Sequence, residues 1–228
     1  MNSTETLVDP ATSGQTPTAI DEAAGGHPRR WWVLAVLCLS LFLVVVDNTI
    51  VNVALPTLSA DLNASTTELQ WIVDAYTLVF ASLLLAFGHF GDRFGRRGAL
   101  ALGLILFGAT SALAAFATSA GGLIGVRALM GVGAALVFPA TLAILMNVFT
   151  DKKQRAAAIG IWSGATGMAV AAGPVAGGFL LEHFWWGSVF LVNVPIVVVA
   201  VVAVMFVVPT SKDPDSGRMD WFGLVLSV

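Results

Sequence analysis

Long apolar runs separated by short polar segments make up most of the chain. A helix needs about 20 apolar residues to cross the hydrocarbon core of a bilayer. Runs of this kind cover residues 31–55, 71–90, 98–117, 121–145, 156–181 and 188–208. They lack the alternation of barrel strands, and only helices and closed barrels satisfy their backbone in lipid. The pattern therefore predicts an all-α integral membrane protein with a six-helix bundle over residues 29–208.

The two ends of the chain have a different pattern. Residues 1–28 are rich in Ser, Thr, Pro, Gly and acidic residues and have neither a basic start nor an apolar core. This composition predicts a disordered tail and not a signal peptide. Residues 209–220 predict a polar loop, and an apolar run opens again over 221–228. We interpret that run as the start of a seventh, truncated transmembrane helix, and the chain as the front part of a longer protein.

Composition and charge agree with a membrane protein. The 228 residues are 57% hydrophobic and 11% charged, whereas soluble domains are about 45–50% apolar and about 25% charged. The net charge is −3, and the basic residues are scattered in short groups. This distribution gives no support to a nucleic-acid partner. The lone cysteine, Cys38, lies in an apolar run, where we expect a packing role.

Basic residues mark one side of the predicted membrane. The loops LSADLNASTTELQ, ATSAGG and LEHFWWG contain no Lys or Arg. Basic loops lie in the cytoplasm by the positive-inside rule. The pattern thus predicts a multi-pass protein of the cell membrane with a cytoplasmic N-terminus. Every basic residue except Arg127 is predicted to lie on this side. These residues are Arg29, Arg30, Arg93, Arg96, Arg97, Lys152, Lys153, Arg155, Lys212 and Arg218.

The first run contains an aspartate, Asp47, in the segment VVVDNTIVNVALP. A carboxylate at membrane depth costs about 2.5–3.5 kcal/mol on insertion scales, so it is rare there and usually functional. At 1.5 Å per residue it lies in the outer third of the bilayer. Asp47, Asn48 and Asn52 fall within about 140° on a helix, which predicts a polar face against protein or a water-filled cavity. The alternative is a purely structural hydrogen-bond network.

The fourth run contains Arg127 at a depth similar to that of Asp47. We expect the two to pair directly or through a cavity, because either charge alone is costly in the membrane. Low dielectric favours the protonated carboxyl, whereas an approaching cation favours the charged form. This competition could exchange a proton for a cationic substrate. The alternative is a static ion pair that fixes helix packing.

Asp74 lies at the outer end of the second run, in WIVDAYTL. We expect it at the membrane interface, with Trp71 and Tyr76 as aromatic anchors. Asp74 is a candidate for cation selection. The alternative is an interfacial residue with no role.

The segment GHFGDRFGRR resembles the signature between the second and third helices of the major facilitator superfamily. Its glycines permit tight turns, and its aspartate and arginines can pair with one another, with helix ends or with anionic headgroups. The resemblance implies a gating loop. Its candidate residues are Gly88, Gly91, Asp92, Arg93, Gly95, Arg96 and Arg97.

Three further segments are similar to motifs of the drug:proton antiporters in that superfamily, in the branch with fourteen helices. VVVDNTIVNVALP resembles the first-helix motif, LIGVRALMGVGAA the fourth-helix motif with Arg127 tied to proton transfer, and GMAVAAGPVAGGFLL the fifth-helix antiporter motif. The resemblance implies a mobile fifth helix. Its candidate residues are Gly167, Gly173, Pro174, Gly177 and Gly178.

The glycines of the fifth run also have a physical meaning of their own. Gly160 with Gly164, and Gly173 with Gly177, form small-xxx-small pairs that let helices approach closely. Pro174 is expected to bend or weaken the helix. The alternative is a packing role without gating.

One segment departs from the family pattern. In WWGSVFLVNVP, Gly187 and Ser188 stand where the family commonly has Arg and Trp. Phe190, Asn193 and Pro195 still match it. We therefore expect a different outer gate.

The resemblance implies a major facilitator fold in which two halves rock about a central site, with Asp47 and Arg127 facing the transport cavity. It implies antiport of lipophilic, often cationic compounds, driven by the proton gradient, and a C-terminal half and the bilayer as partners. No metal, cofactor or catalytic residue is expected. The alternatives are an uptake carrier of the same fold, a half-size transporter acting as a homodimer, and a membrane enzyme. The GVGAA segment that begins at Gly131 lies within a predicted helix and lacks the preceding strand of a dinucleotide site.

Overall fold

The computed structural model describes residues 28–210, except for the side chains of residues 90 and 92–94. Within this range, six helical spans are long and apolar enough to cross a membrane. The hydrophobic pattern predicted these six spans, and their number is confirmed. The predictions made for the tail before residue 28, for the loop after residue 210 and for a seventh helix lie outside the described residues.

Four of the six described spans are longer than their apolar runs, whereas the third and the sixth have nearly the length of theirs. α1 continues through Pro56 and through the polar residues that follow it, to Leu62. α5 begins at Lys152, four residues before the apolar run 156–181. The ends predicted for these four spans were wrong, because backbone hydrogen bonding does not stop where the apolar composition stops. The helices are α1 (Arg30–Leu62), α2 (Thr66–Phe94), α3 (Arg96–Ala115), α4 (Ala120–Val148), α5 (Lys152–His183), α6 (Ser188–Leu191) and α7 (Asn193–Val207), and α6 and α7 together form the sixth span.

Polar residues between the spans start the next helix by capping it. The Ser65 side chain accepts a hydrogen bond from the Glu68 N–H, and Glu68 Oε2 accepts one from the Ser65 N–H at 2.9 Å. Ser119 and Asp151 accept from the first turns of α4 and α5 in the same way. Such caps satisfy backbone N–H groups that have no partner inside the helix. They fix where each span begins.

A single residue, Gly95, separates α2 from α3 and adopts φ 116°. Residues with a Cβ rarely adopt this conformation, so the position favours glycine. The sequence also predicted turns at Gly88 and Gly91. That prediction was wrong, because both residues lie within α2, which continues to Phe94.

α1, α3 and α4 form the interior of the bundle. α4 packs against both α2 and α3, α1 packs against α5, and α3 packs against α7. α1 also contacts α4 and α7. Most residues of α2 and α5 are exposed or half-buried, so these two helices flank the interior. This arrangement brings the polar residues of α1, α4 and α7 together.

Two glycines of α5 allow its close approach to α1. A Cβ on Gly173 would overlap Thr49 Oγ1 and lie 3.1 Å from the Ile50 nitrogen, and one on Gly177 would lie 3.0 Å from Ile50 Cγ1. Gly160 and Gly164 were predicted to act in the same way. That prediction was wrong for the described residues, because α5 turns these two glycines outward and nothing lies within 4 Å of a Cβ built there.

The start of α1, the link between α4 and α5 and the end of α7 meet at one end of the bundle. Trp31 packs edge-on against Phe149, with ring centroids 5.3 Å apart. Arg97, at the start of α3, donates a hydrogen bond to the Met205 carbonyl in the last turn of α7. We call this the basic end, because it carries Arg29, Arg96, Arg97 and Arg155.

We predict that Gly173→Ala lowers the free energy of unfolding by about 1–3 kcal/mol, the usual cost of overpacking a close contact. Gly164→Ala, on the same helix, should not lower it, because alanine is the better helix former and its methyl group meets no described neighbour. Denaturant titration in detergent micelles measures both. Equal stability of the two variants would contradict the close contact of Gly173 on α5 with α1.

Candidate functional site

Asp47 of α1 and Arg127 of α4 form a direct ion pair inside the bundle. Arg127 Nη1 donates to Asp47 Oδ2 at 2.6 Å, and both side chains are completely buried. A buried charge without a partner costs several kcal/mol, so each group depends on the other. Direct contact is one of the two arrangements expected from their similar depth.

The second oxygen of Asp47 binds the sixth span. Asn193, the first residue of α7, donates from Nδ2 to Asp47 Oδ1 at 2.8 Å and to Ser111 Oγ at 3.0 Å. Ser111 of α3 in turn donates to the Phe190 carbonyl of α6 at 2.8 Å. Both carboxylate oxygens therefore accept hydrogen bonds. This chain of side chains connects α1 with α3, α6 and α7.

Arg127 is held by α2 as well as by Asp47. Its Nε donates to the Ile72 carbonyl at 3.0 Å, and its Cζ lies 4.3 Å from the centroid of the Tyr76 ring, a cation–π contact. The Tyr76 hydroxyl donates to the Val44 carbonyl at 3.2 Å. Because α2 binds the guanidinium independently of the carboxylate, Arg127 can keep its position if Asp47 becomes neutral.

Gly131 lets α4 carry Arg127 close to α2. A Cβ at this position would lie 2.6 Å from the Tyr76 carbonyl oxygen and 3.2 Å from the Phe80 nitrogen. A glycine one turn after the arginine is therefore required by the backbone contact. This contact allows the arginine to reach the Ile72 carbonyl.

The other polar residues of α1 do not share the environment of Asp47. Asn48 is half-buried, and Asn52 is exposed and donates to the Asn48 carbonyl of its own helix at 3.2 Å. The three residues were predicted to share one polar face, but the arc of about 140° runs from a buried side of the helix at Asp47 to an exposed side at Asn52. The prediction that Asp47 faces an open cavity also fails in this structure, since its partners enclose it.

The residues of α2 are arranged differently from the prediction. Asp74 is exposed, and no hydrogen bond or ion pair joins it to the buried pair. Trp71 is half-exposed, as an interfacial anchor would be. Tyr76 is not such an anchor, because it is buried beneath Arg127. Its hydroxyl finds a main-chain acceptor inside the bundle instead of water.

The loop and antiporter-motif residues lie apart from the ion pair. Arg96 Nη1 donates to the Ala143 carbonyl of α4 at 3.5 Å, so Arg96 and Arg97 each contact a carbonyl near the C-terminal end of a helix. The side chains of Asp92 and Arg93 are outside the described part. On α5, Gly173 and Gly177 contact α1, whereas Gly167, Pro174 and Gly178 are exposed.

Ser111 and Tyr76 were not predicted to belong to the site, and Asn193 was predicted only as a match to the family pattern. Ser111 is one hydroxyl in an apolar run, and its partners lie about 80 positions further along the chain. Nothing in the local sequence connects these positions. Tyr76 could have been noticed, since it is the chain's only tyrosine and lies within a span.

A family model described as the Major Facilitator Superfamily matches residues 37–223, a range that includes Asp47, Arg127 and Asn193. The chain belongs to the Major Facilitator Superfamily. With six membrane-length spans in the part of the chain that the structure describes, it is a multi-pass membrane protein.

Several proteins resemble this superfamily member closely. It is 49% identical to the multidrug efflux pump LfrA of Mycolicibacterium smegmatis over 199 residues, which are 87% of this chain and 40% of that protein. It is 48% identical to the methyl viologen resistance protein SmvA of Salmonella typhimurium over 171 residues, which are 75% of this chain and 34% of that protein. The chain thus spans well under half the length of these relatives.

A crystal structure of the peptide transporter POT in complex with sulfate has the same fold. Its TM-score is 0.68 at 17% identity, over 76% of this chain and 37% of the other. The superfamily fold is therefore supported by both sequence and structure. Identity this low says nothing about substrate.

We predict that Arg127→Met lowers the free energy of unfolding by about 3–5 kcal/mol, because it leaves the Asp47 carboxylate buried without its counter-charge. The double variant Asp47→Leu/Arg127→Met should regain most of the loss, since no charge is then buried. Denaturant titration of the purified proteins in micelles measures this difference. A double variant no more stable than Arg127→Met would show that the ion pair does not account for the cost.

Proposed function

We propose that the complete protein exports lipophilic, cationic drugs or toxic compounds across the cell membrane in exchange for protons. Asp47 is the proton-binding group, and the observation that carries the proposal is its complete burial beside Arg127. Among the described residues, these two are the only buried charged side chains. A carboxyl group in such a place can be neutralised by a proton or stabilised as an anion by a nearby cation.

A row of aromatic side chains supports a lipophilic cation as substrate. Tyr76 stacks on Phe80, Phe80 meets Phe138 edge-on at 5.8 Å, and Phe138 meets Trp162 edge-on at 5.3 Å. The row begins beneath Arg127 and joins α2, α4 and α5. Phe80 and Phe138 are half-buried. Aromatic faces attract cations and cover apolar surface, so this row suits a flat or lipophilic cation.

The relatives support the same substrate class. One is named a multidrug efflux pump, and another a resistance protein for methyl viologen, which is a dication. Extended to this chain, those names suggest export of cationic compounds. The exposed polar residues Asn52 and Asp74, with the half-buried Asn48, are proposed as further substrate contacts from α1 and α2.

The basic end is proposed to lie in the cytoplasm, by the positive-inside rule. In the proposed cycle, a proton from outside neutralises Asp47 as the compound leaves, and the proton departs to the cytoplasm as the next cation binds. A membrane potential of 100 mV contributes about 2.3 kcal/mol for each charge moved. The arginines at the basic end and the exposed Gly167, Pro174 and Gly178 of α5 are proposed to serve the rocking motion.

Proton-driven uptake of a fluorescent lipophilic cation into inverted vesicles tests this proposal. The complete reading frame should take up the cation when the vesicle interior is acidified, and Asp47→Asn should reduce the initial rate at least about 100-fold, because it removes the proton-binding carboxyl. Asp61→Asn is the matched control. It removes an exposed carboxyl from the far end of the same helix and should leave the rate unchanged.

Each outcome has a defined meaning. Equal uptake by the parent and by Asp47→Asn, at matched protein levels, would make the pair a static structural element. No uptake by the parent in inverted vesicles, with uptake in right-side-out vesicles, would favour a carrier of the opposite direction. Loss of uptake in Asp61→Asn as well would show that the effect is not specific to the buried site.

A further inference from the structure

The side chain of Asn193 is almost fully buried between Asp47 and Ser111. Its Nδ2 donates to both, at 2.8 and 3.0 Å. The Ser111 hydroxyl hydrogen is already donated to the Phe190 carbonyl, so Ser111 Oγ can only accept from the amide. An ionised Asp47 is an acceptor as well. The orientation of the Asn193 amide is therefore set by the charged state of Asp47.

A proton on Asp47 would place two donors against each other. Oδ2 faces Arg127, which has no acceptor atom, and Oδ1 faces the Asn193 NH₂ group. The titratable groups around Asp47 in the described structure are Arg127 from α4 and Tyr76 from α2, while α3 and α7 contribute the neutral Ser111 and Asn193. Buried donors without acceptors are costly. One partner must change its role.

Asn193 is the partner that can do so, because its amide carries an acceptor as well as donors. Half a turn about its Cβ–Cγ bond places Oδ1 where Nδ2 was. Oδ1 then accepts from protonated Asp47 Oδ1 and from the Ser111 hydroxyl, which rotates away from Phe190. The added proton stays on Asp47, and Asn193 and Ser111 lose none.

We propose that Asn193 is a positioning residue that transmits the protonation state of Asp47 to the sixth span by turning its amide. The turn breaks or restores the Ser111–Phe190 hydrogen bond. Phe190 lies where α6 gives way to α7, so the hydrogen bond between α3 and this junction exists only while Asp47 is ionised. Proton binding thus loosens the sixth span from α3. This inference rests on the proposed function, which makes Asp47 the group that titrates.

Infrared difference spectra of the complete purified protein, between acidic and alkaline buffer, test the amide turn directly. The parent should show a carboxyl band that disappears in Asp47→Asn and a side-chain amide band that disappears in Asn193→Leu. The amide band should also disappear in Asp47→Asn, because without a titrating carboxyl the amide has no reason to turn.

The spectra distinguish failure of the Asn193 amide turn from failure of the proposed function. A titrating Asp47 band with no accompanying Asn193 band, or an Asn193 band that persists in Asp47→Asn, would overturn the inference and leave the proposed function standing. Absence of any Asp47 carboxyl band would overturn both. Leucine is close to asparagine in size, so we expect Asn193→Leu to fold. If it does not, a pair of serine variants tests the role of the Ser111–Phe190 hydrogen bond independently.

Ser111→Ala and Ser188→Ala form a matched pair. Both remove a buried hydroxyl near the sixth span, but Ser188 Oγ has no hydrogen-bond partner among the described residues. Ser111→Ala should lower the maximal transport rate about tenfold, because the Phe190 link is lost. Its KM for the cation should not change. Ser188→Ala should transport like the parent.

A Ser111→Ala protein with the maximal rate of the parent would overturn the role of the Ser111–Phe190 bond. Equal losses in both serine variants would also overturn it, because a general loss of packing would then explain the effect. A change in KM alone would indicate a substrate contact instead of transmission.

Discussion

The ion pair between Asp47 and Arg127 is the interaction on which the rest of the described structure depends. Each charge is fully buried and would be unstable there alone. The surrounding helices are arranged to satisfy it. α7 supplies Asn193 to the carboxylate, and α2 supplies the Ile72 carbonyl and the Tyr76 ring to the guanidinium. Four of the six described spans therefore contribute the ion pair or groups that contact it.

Close helix packing is what makes this meeting possible. Gly131 brings α4 onto the backbone of α2, and Gly173 brings α5 onto α1 beside Thr49, two residues after Asp47. In lipid there is little hydrophobic drive between helices, so small residues that permit close contact matter more than in water. The same contacts leave α2 and α5 with large exposed faces. The polar interior and the exposed flanks are two results of one packing pattern.

Much of the fold could be predicted from the sequence, because hydrophobic length and loop charge are local signals. The six spans were predicted correctly, and Asp47 and Arg127 were singled out because charges are rare in such runs. The partners of the pair were harder to predict. Ser111 and Asn193 are 82 positions apart and ordinary in their local sequence, so only the packed structure joins them. The exposure of the polar residues on α1 was also hard to predict, since an arc of about 140° separates the buried Asp47 from the exposed Asn52.

The arrangement would give the proposed antiport a simple physical basis. Arg127 has contacts that do not depend on the charge of Asp47, whereas the partner of the other carboxylate oxygen, Asn193, can act as donor or acceptor. A proton can therefore be added to the pair without dismantling it. In the proposed exchange, proton binding neutralises the Asp47 carboxyl group, whereas the cationic compound favours its ionised form, so the two compete.

That competition can be measured most directly as proton release on substrate binding. Purified complete protein in weakly buffered detergent solution would be mixed with a lipophilic cation while a pH indicator records released protons. The account predicts release from the parent and none from Asp47→Asn, with cation binding confirmed for both proteins. Equal release from the two would place the titrating group elsewhere and contradict the central role of Asp47.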